Sequence, residues 1–169
     1  MIVYPTETSY GLGADYTNKR AVKKIFKIKK RSDKKLSVIV PSLFVIKKYV
    51  VIDKEAEKLA RTFMPGPLTL IVRKREKGTI AFRISSNEIA FSIAKKFKKP
   101  IIATSANISG SGDNYEIKKI REIFEDKVDL IIDGGNLRKR KPSTIYDVEN
   151  KIVLREGPIT EKMIKRALL

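Results

Sequence analysis

The sequence contains no cysteine, histidine, tryptophan or glutamine among its 169 residues. Without cysteine there is no disulfide framework, no thiolate nucleophile and no zinc site with sulfur ligands. Without histidine, the most common general base and metal ligand is missing as well. These absences exclude much of covalent and metal-centred catalysis.

Long hydrophobic runs are also absent. The N-terminal segment MIVYPTETSYGLGAD has no basic region followed by a long apolar stretch, and no later run approaches membrane-spanning length. We therefore expect a cytoplasmic protein that does not bind membranes. Because the chain has no long polar linker, we expect one domain over residues 1–169.

Positive charge is what the sequence has in excess. It has 37 Lys and Arg against 19 Asp and Glu, a formal net charge of +18. This balance favours polyanionic partners, such as nucleotide phosphates, nucleic acid or an anionic membrane. The same composition also fits adaptation to high temperature, as in a thermophile, so charge alone does not select a function.

Segments with strand and helix patterns alternate along the chain. Residues 1–4 resemble a buried strand, and residues 5–13 an irregular loop. Further strands are predicted at 36–40, 68–74, 79–85, 100–104, 128–133, 143–148 and 151–156, and helices at 18–30, 42–49, 53–64, 87–97, 115–124 and 160–168. Two of the strand pairs are predicted hairpins, at Gly78 and at residues 149–150. This order predicts an α/β fold with an open, twisted mixed β-sheet and flanking helices.

The segment PIIATSANISGSG, residues 100–112, goes from a strand directly into hydroxyl, amide and glycine residues. Thr104, Ser105 and Asn107 offer polar side chains, and Gly110 and Gly112 permit close backbone approach and positive φ. Such a loop suits phosphate binding, although it is also typical of an ordinary surface turn.

A basic cluster follows the first predicted helix, in KIKKRSDKK. Lys29 and Arg31 are two residues apart where the helix should end, so both can face a common space. A lysine point charge beside an arginine fork suits a ligand with phosphate and carboxylate groups. The alternative is a solvated helix terminus, where cations favour the helix dipole.

Two arginines interrupt apolar strands, Arg83 in AFRIS and Arg155 in IVLREG. Each lies either on the solvent face or opposite an anion, because an unpaired buried charge is costly. Ser143 and Thr144 begin a strand after Pro142, a position where hydroxyls often cap backbone groups.

The first loop, YPTETSYGLGAD, has two threonines around Glu7 directly after a buried strand. Thr6 and Thr8 suit a small polar substrate or simple side-chain turns. The two glycines at positions 11 and 13 do not form a dinucleotide motif, because the third glycine is missing.

Seven of these segments occur in one order: YPTETSYGLGAD, FKIKKRSDKKLSV, MPGPLTLIV, FRIS, TSANISG, PSTIYD and LREGPI. Together they closely resemble the YrdC/TsaC family of threonylcarbamoyl-adenylate synthases over almost the whole chain. The resemblance implies an open, twisted α/β sheet around a large basic cavity. It also implies the short, single-domain form of the family.

The resemblance further implies a nucleotidyltransferase that condenses L-threonine, bicarbonate or CO2, and ATP with Mg2+, releasing pyrophosphate. The product would serve threonylcarbamoylation of adenosine 37 in tRNA through a separate transferase machinery. The implied catalytic residues are Lys29 and Arg31. The implied ATP contacts are Arg31, Lys35, Thr79, Asn107 and Arg155. The implied threonine contacts are Thr8, Arg83, Ser105 and Ser143. No residue is assigned to a metal.

The chain departs from the family pattern in two places. Only MIVY precedes the PTET-like loop, where many members have an extra helix or strand. Val40 with Pro41 stands where many members have a histidine that contacts the threonine side chain. Two alternatives stay open: a module that binds tRNA or double-stranded RNA through the same cavity, and a carbamoyl-adenylate domain of the hydrogenase-maturation type. The latter normally accompanies zinc-finger-like cysteines, which this chain lacks.

Overall fold

The computed structural model describes residues 1–30, 36–108, 112 and 114–169. Within these ranges the strands are β1 Ile2–Pro5, β2 Tyr10–Gly13, β3 Ser37–Ile39, β4 Leu68–Arg73, β5 Thr79–Arg83, β6 Ile101–Ile102, β7 Thr104–Ser105, β8 Leu130–Ile131, β9 Thr144–Asp147 and β10 Ile152–Arg155. The helices are α1 Lys19–Lys29, α2 Leu43–Ile46, α3 Lys54–Phe63, α4 Glu88–Phe97, α5 Ile117–Phe124 and α6 Glu161–Leu168.

Helix boundaries follow the capping residues in the sequence. Asn18, Asp53 and Asn87 each accept backbone N–H groups of the first turn of α1, α3 and α4. These side chains satisfy donors that the helix itself cannot pair, so the helix starts were predictable to within a residue. In the parts of the chain that are described, no helix is long and apolar enough to cross a membrane.

The strands form two mixed sheets rather than the single sheet expected. One has the order β7-β2-β1-β8, and the other has the order β10-β9-β4-β5-β3-β6. The predicted strand at residues 100–104 contributes to both, because β6 pairs with β3 and β7 pairs with β2. The fold is nevertheless the predicted class, an α/β protein with open, twisted mixed sheets.

The segment 5–13 is only partly the irregular loop that we predicted. Tyr10–Gly13 forms β2, which pairs antiparallel with β1 in a hairpin. Two of the four residues are glycine, which is unfavourable within strands, so the sequence pattern does not predict a strand here. Gly13 is required here, since a Cβ at this position would lie 2.5 Å from the Tyr4 ring.

Each sheet has its own core. Helices α3 and α6 pack on the six-stranded sheet through buried Leu59 and Ile164. Helices α1 and α5 pack on the four-stranded sheet through Ile25 and Phe124. A third cluster contains Tyr4, Ile39, Ala90, Ala94, Ile101 and Ala103 and joins α4 to both sheets. The sheets are therefore fixed to one another by apolar packing.

Candidate functional site

A cavity of about 930 Å³ is lined by residues of both sheets. A cavity of this size suits a small molecule such as a nucleotide, since ligand pockets measure roughly 300–1,000 Å³. Among its described lining residues the cations are Lys74, Arg83 and Arg155, and the carboxylate is Asp147. Both oxygens of Asp147 accept hydrogen bonds within the turn after β9. The cavity is therefore basic.

We call the side formed by the four-stranded sheet the hydroxyl wall, which comprises Thr6, Thr8, Ser9, Thr104 and Ser105. Thr6 makes a side-chain turn: its Oγ1 donates to the Ser9 carbonyl at 2.7 Å and accepts from the backbone N–H groups of Thr8 and Ser9. The Thr8 hydroxyl lies 3.1 Å from that of Thr6 and lines the cavity. Thr8, a predicted threonine contact, is thus held in place by Thr6.

We call the side formed by the six-stranded sheet and its edges the cationic wall, which comprises Lys74, Arg83, Ser143 and Arg155. The Ser143 hydroxyl connects the two guanidinium groups. Arg83 Nη1 lies 3.4 Å from Ser143 Oγ, and Arg155 Nη2 lies 3.3 Å from it. Arg155 Nε also donates to the Ser143 carbonyl at 3.0 Å, and the Thr69 hydroxyl lies 2.9 Å from Ser143 Oγ. Three predicted site residues therefore form one hydrogen-bonded group.

The two arginines reach this group in different ways. Arg83 ends β5 and is buried, with 7% of its surface exposed, whereas Arg155 is exposed. The pairing of β10 with β9 is irregular between Val153 and Arg155. An irregularity of this kind changes the direction of a strand side chain, and here it accompanies the approach of Arg155 to Ser143. Alternation along the sequence could not show this.

The hydroxyl groups of Ser143 and its neighbour Thr144 have different surroundings. The Thr144 hydroxyl donates to the Ile159 carbonyl at 2.6 Å and accepts from the N–H groups of Gly157 and Ile159. It is therefore a backbone cap, whereas Ser143 faces the cavity. Gly157 allows this contact, since a Cβ there would lie 2.1 Å from the Pro142 carbonyl oxygen.

The loop after β7 is connected to α1 by Lys29. This last residue of α1 is only 3% exposed. Its Nζ donates to the Ser105 carbonyl at 2.7 Å, the Asn107 carbonyl at 3.1 Å and Asn107 Oδ1 at 2.7 Å. Three oxygens of this loop thus accept hydrogen bonds from one ammonium group.

The Asn107 side chain is also used inside this loop. Its Oδ1 accepts from Ser105 Oγ at 2.8 Å, and its Nδ2 donates to the Gly112 carbonyl at 2.6 Å. Gly112 has φ +73°, as its predicted role in a turn requires. Neither Lys29 nor Asn107 lines the cavity, whereas Ser105 does.

The structure thus brings together six of the predicted site residues. The cavity is lined by Thr8, Thr79, Arg83, Ser105, Ser143 and Arg155. Arg31 and Lys35, which the sequence also predicts as site residues, lie outside the described residues.

The sequence analysis missed one residue behind the cationic wall, Glu7. Its Oε1 lies 3.1 Å from Arg83 Nε, and both side chains are more than nine-tenths buried. Its Oε2 accepts from the Ser85 hydroxyl. Nearby, burial raises the pKa of the Tyr4 phenol, while Arg83 lowers this pKa and Glu7 raises it. A carboxylate between two threonines in so basic a chain was the available signal for this pair.

The described residues contain no group of three or more acidic side chains that could hold a metal ion. Of the carboxylates in the described ranges, the two nearest the cavity have partners: Asp147 holds its turn, and Glu7 is paired with Arg83.

The molecule is thus an α/β protein with a basic, nucleotide-sized cavity that suits an anionic small molecule. A family model described as telomere recombination, Sua5/YciO/YrdC, matches residues 1–157. The chain belongs to this family.

Individual relatives agree with this assignment. The chain is 37% identical to the threonylcarbamoyl-AMP synthase of Pyrococcus abyssi, over 99% of this chain and 53% of that protein. It is 36% identical to a putative threonylcarbamoyl-AMP synthase of Methanocaldococcus jannaschii, over 98% of this chain and 84% of that protein. The chain thus spans about half the length of the Pyrococcus relative and most of the length of the Methanocaldococcus one.

Solved structures show the same likeness. P. abyssi Sua5 complexed with L-threonine is 36% identical, with a TM-score of 0.91 over 99% of this chain and 53% of that one. E. coli YciO is 30% identical, with a TM-score of 0.83 over 93% of this chain and 82% of that one.

Proposed function

We propose that this chain is a threonylcarbamoyl-AMP synthase, which uses L-threonine, ATP, and bicarbonate or CO2. The observation that carries the proposal is the hydrogen-bonded group of Arg83, Ser143 and Arg155, which lines a cavity of about 930 Å³ together with the hydroxyl wall. The names of the relatives and the threonine complex of P. abyssi Sua5 support it.

In the proposed reaction the threonine amine attacks CO2, or bicarbonate with loss of water, to form N-carboxythreonine. The new carboxylate then attacks the α-phosphorus of ATP, the bond to the β-phosphate oxygen breaks, and pyrophosphate leaves. The protein has only to align the two anions and neutralise their charge, because no covalent enzyme intermediate is needed. This agrees with a chain that lacks both histidine and cysteine.

The two walls suggest how the substrates are arranged. Arg83 holds the threonine carboxylate, while Thr8, Ser105 and Ser143 surround the rest of the amino acid. Arg155, at the opposite side of Ser143, neutralises phosphate charge, and Thr79 contributes a hydroxyl to the nucleotide. Apolar surface for the adenine ring comes from Ile71, Ile145 and Leu154.

Lys29 and Asn107, which the sequence predicts as a catalytic residue and an ATP contact, do not line the cavity themselves. Both support the Ser105 loop from behind, so we propose that they shape the phosphate-binding backbone. Mg2+ would enter as part of MgATP, whose phosphate oxygens are ligands that this ion prefers.

The experiment is pyrophosphate release from ATP by the purified protein, with Mg2+ and bicarbonate, in the presence and absence of L-threonine. Threonine-dependent release, with the threonylcarbamoyl adenylate found by mass spectrometry, supports the proposal. Release without threonine, or none from folded protein, contradicts it. The adenylate would then serve the modification of tRNA adenosine 37 through separate transferase proteins.

A second candidate function is RNA binding, favoured by four consecutive exposed cations, Arg138–Lys139–Arg140–Lys141. Arg140 and Lys141 also line a smaller cavity of about 400 Å³ that shares Thr8 with the large one. Binding of tRNA or double-stranded RNA that weakens steeply with salt and ignores threonine would support this function.

A further inference from the structure

The buried pair of Glu7 and Arg83 is not explained by ligand binding alone. Arg83 Nε lies 3.1 Å from Glu7 Oε1, and neither of these two buried atoms makes a hydrogen bond within the described chain. The contact is therefore a charge contact without in-line geometry. Burying two charges is costly unless their placement serves a purpose or is well compensated.

Glu7 is itself held from a second direction. The Ser85 hydroxyl donates to Glu7 Oε2, and the same hydroxyl accepts the backbone N–H of Asn87, the capping residue of α4. Ser85 is fully buried. The carboxylate thus connects the loop after β1 to the start of a helix, and its position is fixed independently of Arg83.

The two edges of the Arg83 guanidinium face different surroundings. The Nε edge lies against Glu7, whereas Nη1 lies 3.4 Å from Ser143 Oγ on the cavity side. Glu7 is not among the residues that line the large cavity, although Arg83 is. An arginine held at its Nε edge has only its outer edge to offer a ligand, which suits a bidentate carboxylate.

We propose that Glu7 is a positioning residue for substrate recognition, which orients Arg83 toward the carboxylate of L-threonine. This inference rests on the proposed function. It assigns to Glu7 no contact with substrate, and it makes the selection of a carboxylate depend on a residue one layer behind the cavity.

The test compares L-threonine with L-threoninamide, which keeps the amine and side chain but lacks the carboxylate charge. The readout is the ratio of kcat/KM for the two compounds in adenylate synthesis. Glu7→Gln is expected to lower this ratio about tenfold, mostly through KM for L-threonine, with KM for ATP nearly unchanged. Glu7→Asp, which keeps the charge, should recover part of the ratio. Glu57→Gln, on the surface of α3, is the control and should leave this ratio unchanged.

A double-variant comparison separates positioning from general stability. In an Arg83→Ala background the ratio should already be low, and adding Glu7→Gln should lower it no further. If Glu7→Gln does not fold, Ser85→Ala takes its place, with a smaller decrease of the ratio expected.

The outcomes are distinct. An unchanged ratio in folded Glu7→Gln, or in Ser85→Ala if that variant takes its place, overturns the proposal. So does an equal loss with both compounds, since that indicates a structural role. If the wild-type protein forms no adenylate from L-threonine, the proposed function fails and this inference fails with it.

Discussion

The two walls of the cavity are built in different ways. On the hydroxyl wall the ligand-facing groups are neutral, and the nearby cation, Lys29, donates to loop oxygens behind the wall. On the cationic wall the guanidinium groups themselves reach the cavity and meet at Ser143. Within the described ranges, positive charge therefore stabilises the loop behind one wall and lines the cavity on the other.

The largest expected effect is on the cationic wall. Arg83→Ala should lower kcat/KM for L-threonine about 100-fold, because a charge-assisted contact to the carboxylate is lost and Glu7 is left without its partner. Steady-state pyrophosphate release measures it. Arg73→Ala, an exposed arginine of the same sheet paired with Glu149, should stay close to wild type. Equal losses in both variants would contradict the assignment.

Lys29→Met tests the other wall. Three oxygens would lose their donor, so the free energy of unfolding should fall by about 3 kcal/mol, and substrate binding should weaken as the Ser105 loop moves. Urea unfolding measures the first effect. Lys30→Ala, at the exposed next position, should be mild. If Lys29→Met keeps full stability but loses turnover, Lys29 acts on the substrate directly, and the contrast between the walls is wrong.

Ser143→Ala removes the hydroxyl shared by the two arginines. We expect about a tenfold rise in KM for both L-threonine and ATP, because Arg83 and Arg155 lose a common partner. The neighbouring Thr144→Val should instead lower thermal stability, since Thr144 caps backbone groups. A reversed pattern in the two variants would show that Thr144, not Ser143, serves the ligand.

The smallest effect is expected at Asp133, beyond β8 of the four-stranded sheet. A hydrogen bond from the Gly135 backbone N–H lowers the pKa of this carboxyl below its usual range, and the contact with Arg121 lowers it further. A lowered pKa in the folded state means stability that is present at neutral pH and lost as pH falls through that pKa. In Asp133→Asn, the free energy of unfolding should therefore fall less steeply as the pH is lowered into the acid range, whereas kcat and KM should stay unchanged. An altered KM would place Asp133 in the site.

Local elements were predictable because their signals are local. The helix starts predicted at residues 18, 53 and 87 and the hairpin at Gly78 depend on a few neighbouring residues, and all appear in the structure. The strand Tyr10–Gly13 was missed because its two glycines conceal it. The division of one predicted strand between two sheets depends on pairing with distant segments, which no local pattern records.

The site shows the same limit. The motifs indicated Arg83 and Arg155, but only the fold decides that the first is buried against Glu7 and that the second accompanies an irregularity in its strand. Glu7 was overlooked because its partner lies 76 positions along the chain. Pairs of this kind arise from topology, and sequence reasoning reaches them only when both members stand out independently.

The passage from β6 to β7 has a further consequence. Ala103 alone separates a strand of one sheet from a strand of the other, and its N–H and carbonyl are both bound to Ser37, at 2.8 and 2.5 Å. Because the connection is a single residue, the two strands cannot move apart at this point. Because Ala103 also lines the cavity, the backbone fixes the separation of the two sheets at this end of the cavity.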